Sequence, residues 1–357
     1  MSSFQIRTHT LGIGHPVYII AEAGVNHNGD IERAKTLIRA AKDAGADCIK
    51  FQTFQAKNLV VPQAPKAPYQ FSSTNPNETQ YDMLSHLELD RNIYPILKSL
   101  CDDLKIDFLS TPYDIKDIDF LDDLGVDAFK IASIHIVEPE FICHVAQKNK
   151  PIILSTGMAT LAEVSEAVSW IRESGNNPLV LLQCTSNYPA RVEDSNLLAM
   201  QTMQYAFQVP VGYSDHTQGD ITSIAAVSLG ACIIEKHFTL NKKDHGPDHF
   251  ASVEPLELKN LITKIREVEK SLGSTIKRPC QAELININYI RRSIFSKVSI
   301  KAGEMITREK LTVKRPVIGL RPSQLREIIG RIALVEIQPD EAITWEMCGQ
   351  KIFPTIL

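Results

Sequence analysis

Several features that would place a chain in a special class are missing from this sequence. None of its seven cysteines belongs to a Cys-x-x-Cys pair, so neither a disulfide framework nor a structural zinc site is indicated, and a reducing cytoplasm is the expected location. Residues 1–14 hold no apolar core of signal-peptide length, and no run of about 18 apolar residues occurs anywhere. We therefore expect neither export nor a membrane partner.

A strong charge of one sign is also missing, because the formal net charge is only −4. The charge is unevenly spread: residues 281–357 hold 12 Lys or Arg and 8 Asp or Glu, which leaves 26 and 34 for residues 1–280. A basic carboxyl-terminal part and an acidic main body are compatible with docking of the two, within one chain or between chains. Values this small do not indicate a nucleic-acid partner.

What is present is a repeated alternation of short apolar runs with longer segments of helical periodicity. Eight repeats over about 255 residues predict a (β/α)8 TIM barrel, with an open doubly wound sheet as the alternative. The predicted strands are 17–21, 48–51, 108–110, 128–131, 152–154, 180–183, 209–213 and 232–235. The predicted helices are 30–44, 91–104, 115–123, 139–148, 161–173, 196–207, 217–229 and 255–271.

The domain boundaries follow from where this alternation stops. We predict a barrel over residues 1–272, a linker over 273–290 and a small β-rich domain over 291–357, with short strands and turns around one helical piece at 322–329. The segment from Thr53 to about Asp90 is unusually long for a barrel loop. Loops of this length are often lids or binding loops.

Polar residues at the ends of the predicted strands favour the barrel over the open sheet. In a barrel these ends converge on one mouth, where the active site is built, whereas in an open sheet they would be strung along an edge. The residues at these positions are Glu22, Lys50, Gln52, Thr111, Lys130, Ser133, Ser155, Thr185, Ser214, His216, Glu235 and His237.

Three groups of these residues could carry chemistry. His216 and His237, at neighbouring strand ends, suit Mn, Fe, Co or Zn and leave positions open for water and substrate. Lys50 and Lys130, with nearby hydroxyls, favour an anionic substrate such as a phosphate or carboxylate. The alternative is that each lysine pairs with a nearby carboxylate. Glu22 can act as a general acid or base, or pair with Lys50, and these two roles are compatible.

The sequence resembles the bacterial sialic acid synthase family over nearly its whole length. The residues 292–294 and 313–316 (RSI and VKRP) look like that family's carboxyl-terminal antifreeze-like (SAF) domain. The barrel motifs that carry the resemblance are IAEAGVNHNG at 20–29, IKFQTF at 49–54, LSTP at 109–112, FKIAS at 129–133, ILSTGM at 153–158, QCTSNYP at 183–189, GYSDHT at 212–217 and EKHFT at 235–239.

The resemblance implies condensation of phosphoenolpyruvate with an open-chain N-acetylated sugar, giving a nine-carbon 2-keto acid and phosphate. It implies a divalent metal, usually Mn²⁺ with Mg²⁺ or Co²⁺ possible, on His216 and His237 to polarise the sugar aldehyde, and Glu22 to help water add to C2. The residues implied in holding phosphate, carboxylate or sugar are Lys50, Gln52, Asn75, Thr111, Lys130, Ser133, Ser155, Ser186, Tyr188, Ser214, Glu235 and Asp248.

The resemblance also implies a domain-swapped homodimer in which Arg315 reaches the sugar acetamido group of a partner subunit. Where many members have Ser-Gly-Glu, this chain has Ser133, Ile134 and His135. Residues 64–70 and the motif at 50–54 look more like the diacetyllegionaminate synthases, so both N-acetylmannosamine and 2,4-diacetamido-2,4,6-trideoxymannose stay open as acceptors. Two other functions stay open as well: a related barrel enzyme that uses a phosphorylated aldose, and a non-catalytic sugar-binding protein.

Overall fold

The computed structural model describes residues 3–72, 74–75, 77–175 and 177–352, and the chain divides into two compact units, 1–273 and 274–357. The last residues of the predicted domain 291–357, residues 353–357, lie outside the described part. Along the described residues, no helix combines the length and the apolar character needed to cross a lipid bilayer.

The amino-terminal unit begins with an antiparallel hairpin that we did not predict, formed by β1 (Phe4–Ile6) and β2 (His9–Leu11). Ile6 and Leu11 are buried among the inward-facing residues at the amino-terminal ends of the barrel strands. Arg7 and His9 form ion pairs with Asp107 at the start of a barrel strand. The hairpin thus closes the end of the barrel opposite the strands' carboxyl ends.

Eight parallel strands follow and form one sheet in the order β5-β4-β3-β10-β9-β8-β7-β6. The first barrel strand pairs with the last, with Glu22 opposite His237, so the sheet curls into the predicted TIM barrel. The strands are β3 (Tyr18–Gly24), β4 (Cys48–Thr53), β5 (Asp107–Pro112), β6 (Phe129–Ile131), β7 (Ile152–Ser155), β8 (Leu179–Cys184), β9 (Val211–Asp215) and β10 (Ile233–His237).

Amphipathic helices cover the outside of the barrel, and their limits reflect ordinary capping chemistry. Asp30 accepts hydrogen bonds from the first backbone amides of α1, and Gly45 ends that helix in the left-handed conformation, with φ 92°. The helices are α1 (Ile31–Ala44), α2 (Ala56–Leu59), α3 (Gln80–Leu87), α4 (Tyr94–Leu104), α5 (Ile115–Asp123), α6 (Pro139–Ala146), α7 (Leu161–Ser174), α8 (Ala199–Phe207), α9 (Ile221–Ser228) and α10 (Pro255–Leu272).

The long segment after β4 has more regular structure than its proline content suggests. It contains α2, a 3₁₀ turn at Pro68–Ser72 and α3. Lys66 connects three residues of this segment. Its fully buried Nζ donates to Thr74 Oγ1 at 2.8 Å and to the carbonyl of Asn75, and lies 3.3 Å from Glu78 Oε1. The segment is therefore a folded insertion whose shape depends on one buried ammonium.

The carboxyl-terminal unit has its own apolar core, which includes Ile294, Ile306, Leu311 and Ile343. The interval predicted as a linker contains a helix, α11. The elements of this unit are α11 (Gln281–Ile290), β11 (Ser293–Ser296), β12 (Leu311–Lys314), α12 (Leu325–Ile328), β13 (Arg331–Ala333) and β14 (Cys348–Lys351). The strands pair antiparallel, β11 with β12 and β13 with β14.

Candidate active site

A cavity of about 490 Å³ opens at the carboxyl ends of the barrel strands. Most of the residues that we singled out from the sequence line it, because the ends of parallel strands converge there. The predicted residues that line the cavity are Glu22, Lys50, Gln52, Thr111, Lys130, Ser133, Ser155, Ser186, Tyr188, Ser214, His216, Glu235, His237 and Asp248.

Two lysines and two glutamates form the charged floor of this cavity. Lys50 Nζ lies 2.5 Å from Glu22 Oε2 and 3.8 Å from Glu235 Oε2. Lys130 Nζ lies 3.6 Å from Glu235 Oε1 and donates to Ser155 Oγ at 2.7 Å. Both interpretations of the lysines therefore hold. Each lysine is paired with a carboxylate, and each faces a cavity that can admit an anionic substrate.

The two glutamates differ in their proton affinity because their surroundings differ. Burial raises the pKa of Glu22 to about 7, although Lys50 opposes the shift. Burial also acts to raise the pKa of Glu235, but the charges of Lys130 and Lys50 and the hydrogen bond from Ser214 outweigh it and lower that pKa to about 2. Glu235 is therefore a permanent carboxylate, and Glu22 can exchange a proton near neutral pH.

His216 and His237 lie side by side at the ends of β9 and β10, with ring centroids 5.4 Å apart. Burial lowers the pKa of His216 to about 4 and the pKa of His237 well below its usual value, so both imidazoles are neutral at pH 7. The His216 Nδ1 atom lies 2.7 Å from the carbonyl of Thr185, which places the ring proton there and leaves Nε2 as a lone-pair donor.

These two imidazoles suit a divalent metal ion. Nδ1 of His237 is buried and has no hydrogen-bond partner among the described residues, and Asp248 Oδ2 lies 3.8 Å away. No group of three or more His, Cys, Asp or Glu side chains in the described part of the chain could hold an ion by itself. The protein would thus supply two nitrogen ligands and leave the other positions to water and substrate.

A buried ion pair holds the two histidine-bearing strands together from the opposite face of the sheet. Lys236 Nζ lies 2.8 Å from Asp215 Oδ2 and donates to the Thr217 carbonyl at 2.7 Å. Because side chains alternate along a strand, Asp215 and Lys236 face the helices, whereas His216 and His237 face the cavity. The pair thereby aligns β9 with β10 behind the two imidazoles.

A small cradle next to Lys130 is built around Gly157. Its backbone amide donates to Ser133 Oγ at 2.9 Å. A Cβ atom at this position would lie 2.3 Å from Ser186 Oγ and 2.9 Å from Cys184 Sγ, so the absence of a side chain lets these groups approach the backbone closely. The resulting set of hydroxyls and a thiol near a buried ammonium suits a phosphate or carboxylate oxygen.

Comparison with known proteins identifies the chain. The NeuB family matches residues 37–277 and the SAF domain matches residues 291–347. The chain belongs to the NeuB family. It is 48% identical to the N,N'-diacetyllegionaminic acid synthase of Campylobacter jejuni over 91% of this chain and 98% of that protein, and 46% identical to the same-named protein of Legionella pneumophila over 92% and 94%.

A solved structure is also similar: the N-acetylneuraminic acid synthetase of Leptospira borgpetersenii, crystallised with citrate, has a TM-score of 0.72 and 33% identity, and the match covers 80% of this chain and 95% of that one. These matches confirm the resemblance that we inferred from the strand-end motifs. The carboxyl-terminal unit of this NeuB-family chain is accordingly the SAF domain expected from residues 292–294 and 313–316.

Four residues named above do not line the cavity of this NeuB-family chain. One is Thr185, whose carbonyl lies 2.7 Å from His216 Nδ1. Asn75 is exposed and lines a separate concavity with His245 and Pro247. Arg315 belongs to the carboxyl-terminal unit, where its Nε donates to the Ile290 carbonyl at 2.8 Å. His135 is buried, stacks on Phe141, and its Nδ1 lies 2.9 Å from Glu138 Oε2. Its ring does not line the cavity, whereas the neighbouring Ile134 does.

Sequence reasoning missed several lining residues. Cys184 is the last residue of β8 and its Sγ lies 3.2 Å from Ser133 Oγ, and this place at a strand end is the signal that could have found it. Tyr69, from the long segment, lies with its ring 5.1 Å from that of Tyr188. Tyr188 in turn contacts both His216 and His237. The insertion after β4 therefore covers the histidine side of the cavity.

Proposed function

We propose that the chain is a nonulosonic acid synthase that condenses phosphoenolpyruvate with an N-acetylated open-chain sugar. The observation that carries the proposal is one cavity in which two neutral imidazoles lie next to a buried lysine and hydroxyl set. Relatives at 46–48% identity are named as synthases of a diacetylated product. They favour neither of the two alternatives, a phosphorylated aldose as acceptor or a non-catalytic sugar-binding role.

Phosphoenolpyruvate would bind at the cationic side of the cavity. Lys130 and Ser155 offer donors to the phosphate, and Lys50 and Ser214 offer donors to the carboxylate. Thr111 orients Lys50, whose Nζ donates to its hydroxyl at 3.1 Å. C3 of the enol, the nucleophilic carbon, would then face the histidine side.

The sugar would bind at the other side, with its aldehyde near His216 and His237. A divalent ion on these two nitrogens would act as a Lewis acid on the aldehyde oxygen. Tyr188 packs against both rings and restricts their orientation. Gln52, which donates to Glu22 Oε1 at 3.2 Å, and Asp248 lie at the wall where the sugar hydroxyls would pass.

Glu22 is the group that would move a proton. Attack of C3 on the aldehyde carbon leaves a cationic C2 and an alkoxide that takes up a proton. A water adds to C2 and loses one proton, and the tetrahedral product loses its hydroxyl proton as it expels phosphate by cleavage of the C–O bond. Glu22, whose pKa lies near 7, can take the proton from that water. Lys50 at 2.5 Å then stabilises the carboxylate between turnovers.

The proposal also covers the metal ion, the location and the assembly of the protein. Mn²⁺ is the proposed ion, because two imidazoles with open positions suit a first-row divalent metal. The cytoplasm is the proposed location, because all seven cysteines are free thiols.

A homodimer in which Arg315 serves the partner's active site is proposed from the family resemblance. Exposed apolar residues on α11, among them Ile285 and Tyr289, fit an interface.

A product assay tests the central proposal. The purified protein would be incubated with phosphoenolpyruvate, Mn²⁺ and, in competition, N-acetylmannosamine and 2,4-diacetamido-2,4,6-trideoxymannose. We expect stoichiometric phosphate release and a nine-carbon 2-keto acid in the mass spectrum. Use of [2-¹⁸O]phosphoenolpyruvate would place the label in phosphate, as C–O cleavage requires. Turnover with arabinose 5-phosphate or erythrose 4-phosphate and none with either N-acetylated sugar would contradict the proposal.

A further inference from the structure

The cavity has two chemically different sides. Strands β6 to β9 contribute the ammonium, hydroxyl and thiol groups around Lys130. Beyond the ends of β3, β4 and β5, the lining is mostly apolar, with Gln70 and Gln80 as polar members, and comes from loop residues, α2 and α3. These apolar lining residues are Val25, Phe54, Leu59, Val60, Met83, Leu84 and Tyr113, with Ile134 at the edge of β6.

The apolar side is a folded structure and not a loose flap. Val25, Phe54, Met83 and Leu87 form a buried cluster, and Leu59, Leu84 and Tyr113 pack against it. Thr79 begins α3 with a capping box, in which its hydroxyl accepts from the Asp82 amide and the Asp82 carboxylate accepts from the Thr79 amide. Met83 and Leu84 are thus held in place over the cavity.

We propose that Leu84, supported by Met83, is a specificity-determining residue for the acceptor, and that this apolar wall takes a deoxygenated, methyl-bearing end of the sugar. The inference rests on the proposed function. A hydroxymethyl end, as in N-acetylmannosamine, would lose hydration against Leu84 and Met83, which offer no hydrogen bond, whereas the C6 methyl and the C4 acetamido methyl of a diacetamido-trideoxy hexose would bury apolar surface there.

The expected size of the effect follows from the limits of apolar recognition. A hydrophobic wall discriminates against an added hydroxyl or a missing methyl group by roughly 10- to 100-fold. The apolar wall stabilises the bound sugar and the transition state equally, so we expect it to affect KM more than kcat. We expect wild-type kcat/KM to favour the trideoxy sugar within that range.

The decisive comparison uses Leu84→Ala and Leu87→Ala. Both residues belong to α3 and to the same apolar cluster, but Leu84 lines the cavity, whereas Leu87 does not contact it among the described lining residues. We expect Leu84→Ala to raise KM for the trideoxy sugar about tenfold and to leave KM for N-acetylmannosamine and phosphoenolpyruvate within about twofold. Leu84→Met, which conserves volume, should retain the wild-type preference.

The outcomes separate the two proposals. An active Leu84→Ala enzyme with an unchanged preference ratio, or an equal change in Leu87→Ala, would overturn the inference and leave the proposed function intact. Failure of the wild-type protein to use either sugar with phosphoenolpyruvate would overturn the proposed function and the inference together. Thermal midpoints of the three variants, measured alongside, would separate a change in the wall from a general loosening of α3.

Discussion

Among the buried histidines, His216 and His237 differ from those that only support the fold. His249 is bonded on both nitrogens, by Thr239 at 2.6 Å and Asn28 at 3.2 Å, and it holds the loop that carries Asp248. By contrast, the buried Nδ1 of His237 has no hydrogen-bond partner among the described residues, and Nε2 of His216 has a long contact of 3.3 Å with the Ser214 hydroxyl. Both rings line the cavity, where a divalent ion could bind them.

Replacing either cavity histidine tests this difference. We expect His216→Ala and His237→Ala to lower bound Mn²⁺ from about one ion per chain to near none, and to lower kcat about a thousandfold, the size of a lost Lewis acid. Metal analysis and phosphate release measure the two effects. His245→Ala is the matched control, because His245 is exposed and near in sequence. Unchanged metal content in both cavity variants would show that the ion is held elsewhere.

The pKa of Glu22 near 7 predicts a pH profile with a definite sign. A general base must be ionised, so kcat/KM should fall as the pH drops below about 7 and reach a plateau above it. In Glu22→Gln this acid limb should disappear and kcat should fall about 10²- to 10³-fold. Glu32→Gln, on the exposed face of α1, should keep the wild-type profile. A rate that instead declines as the pH rises through 7 would make Glu22 an acid.

At the scale of elements, the insertion between β4 and α4 depends on Lys66. Its buried Nζ joins Thr74, the Asn75 carbonyl and Glu78, which hold the segment that brings Tyr69 to Tyr188. Removing one partner of a buried charge leaves the other uncompensated. The insertion should therefore loosen while the barrel stays folded.

Lys66→Met tests this dependence. We expect the sugar KM to rise about threefold to tenfold with kcat and the KM for phosphoenolpyruvate nearly unchanged, because uniform binding is lost. Limited proteolysis between residues 60 and 80 should become faster. Lys57→Met is the control, since Lys57 lies exposed in the same insertion. Wild-type resistance to protease in Lys66→Met would mean that the apolar cluster alone orders the segment.

The predictability of these elements depends on how local their causes are. The eight barrel strands and the positions of Lys130 and His237 were predictable, because periodicity marks each strand and parallel strands end at one mouth. The hairpin at Phe4–Leu11 was not, since its strands have three residues each and its ion pairs reach Asp107 about a hundred positions away. The position of Asn75 was not predictable either, because it depends on how the insertion folds.

For the whole molecule, the proposed dimer makes the SAF domain part of catalysis. Arg315→Ala should raise the sugar KM about tenfold, the value of a charge-assisted contact to a polar group, with the KM for phosphoenolpyruvate unchanged. Arg326→Ala, at another exposed arginine of the same unit, is the control. Analytical ultracentrifugation should give a dimer for all three proteins. A fully active monomer would rule out the shared site.

Glu235 has a consequence for how fast the enzyme can turn over. Its carboxylate, 3.6 Å from Lys130 and 3.8 Å from Lys50, is a resident anion that any arriving phosphate or carboxylate must displace. When inorganic phosphate leaves, the two lysines pair again with the Glu235 carboxylate, so their buried charges keep a counter-ion. We expect this exchange to weaken inhibition by the product phosphate and to lower the ground-state affinity for anions.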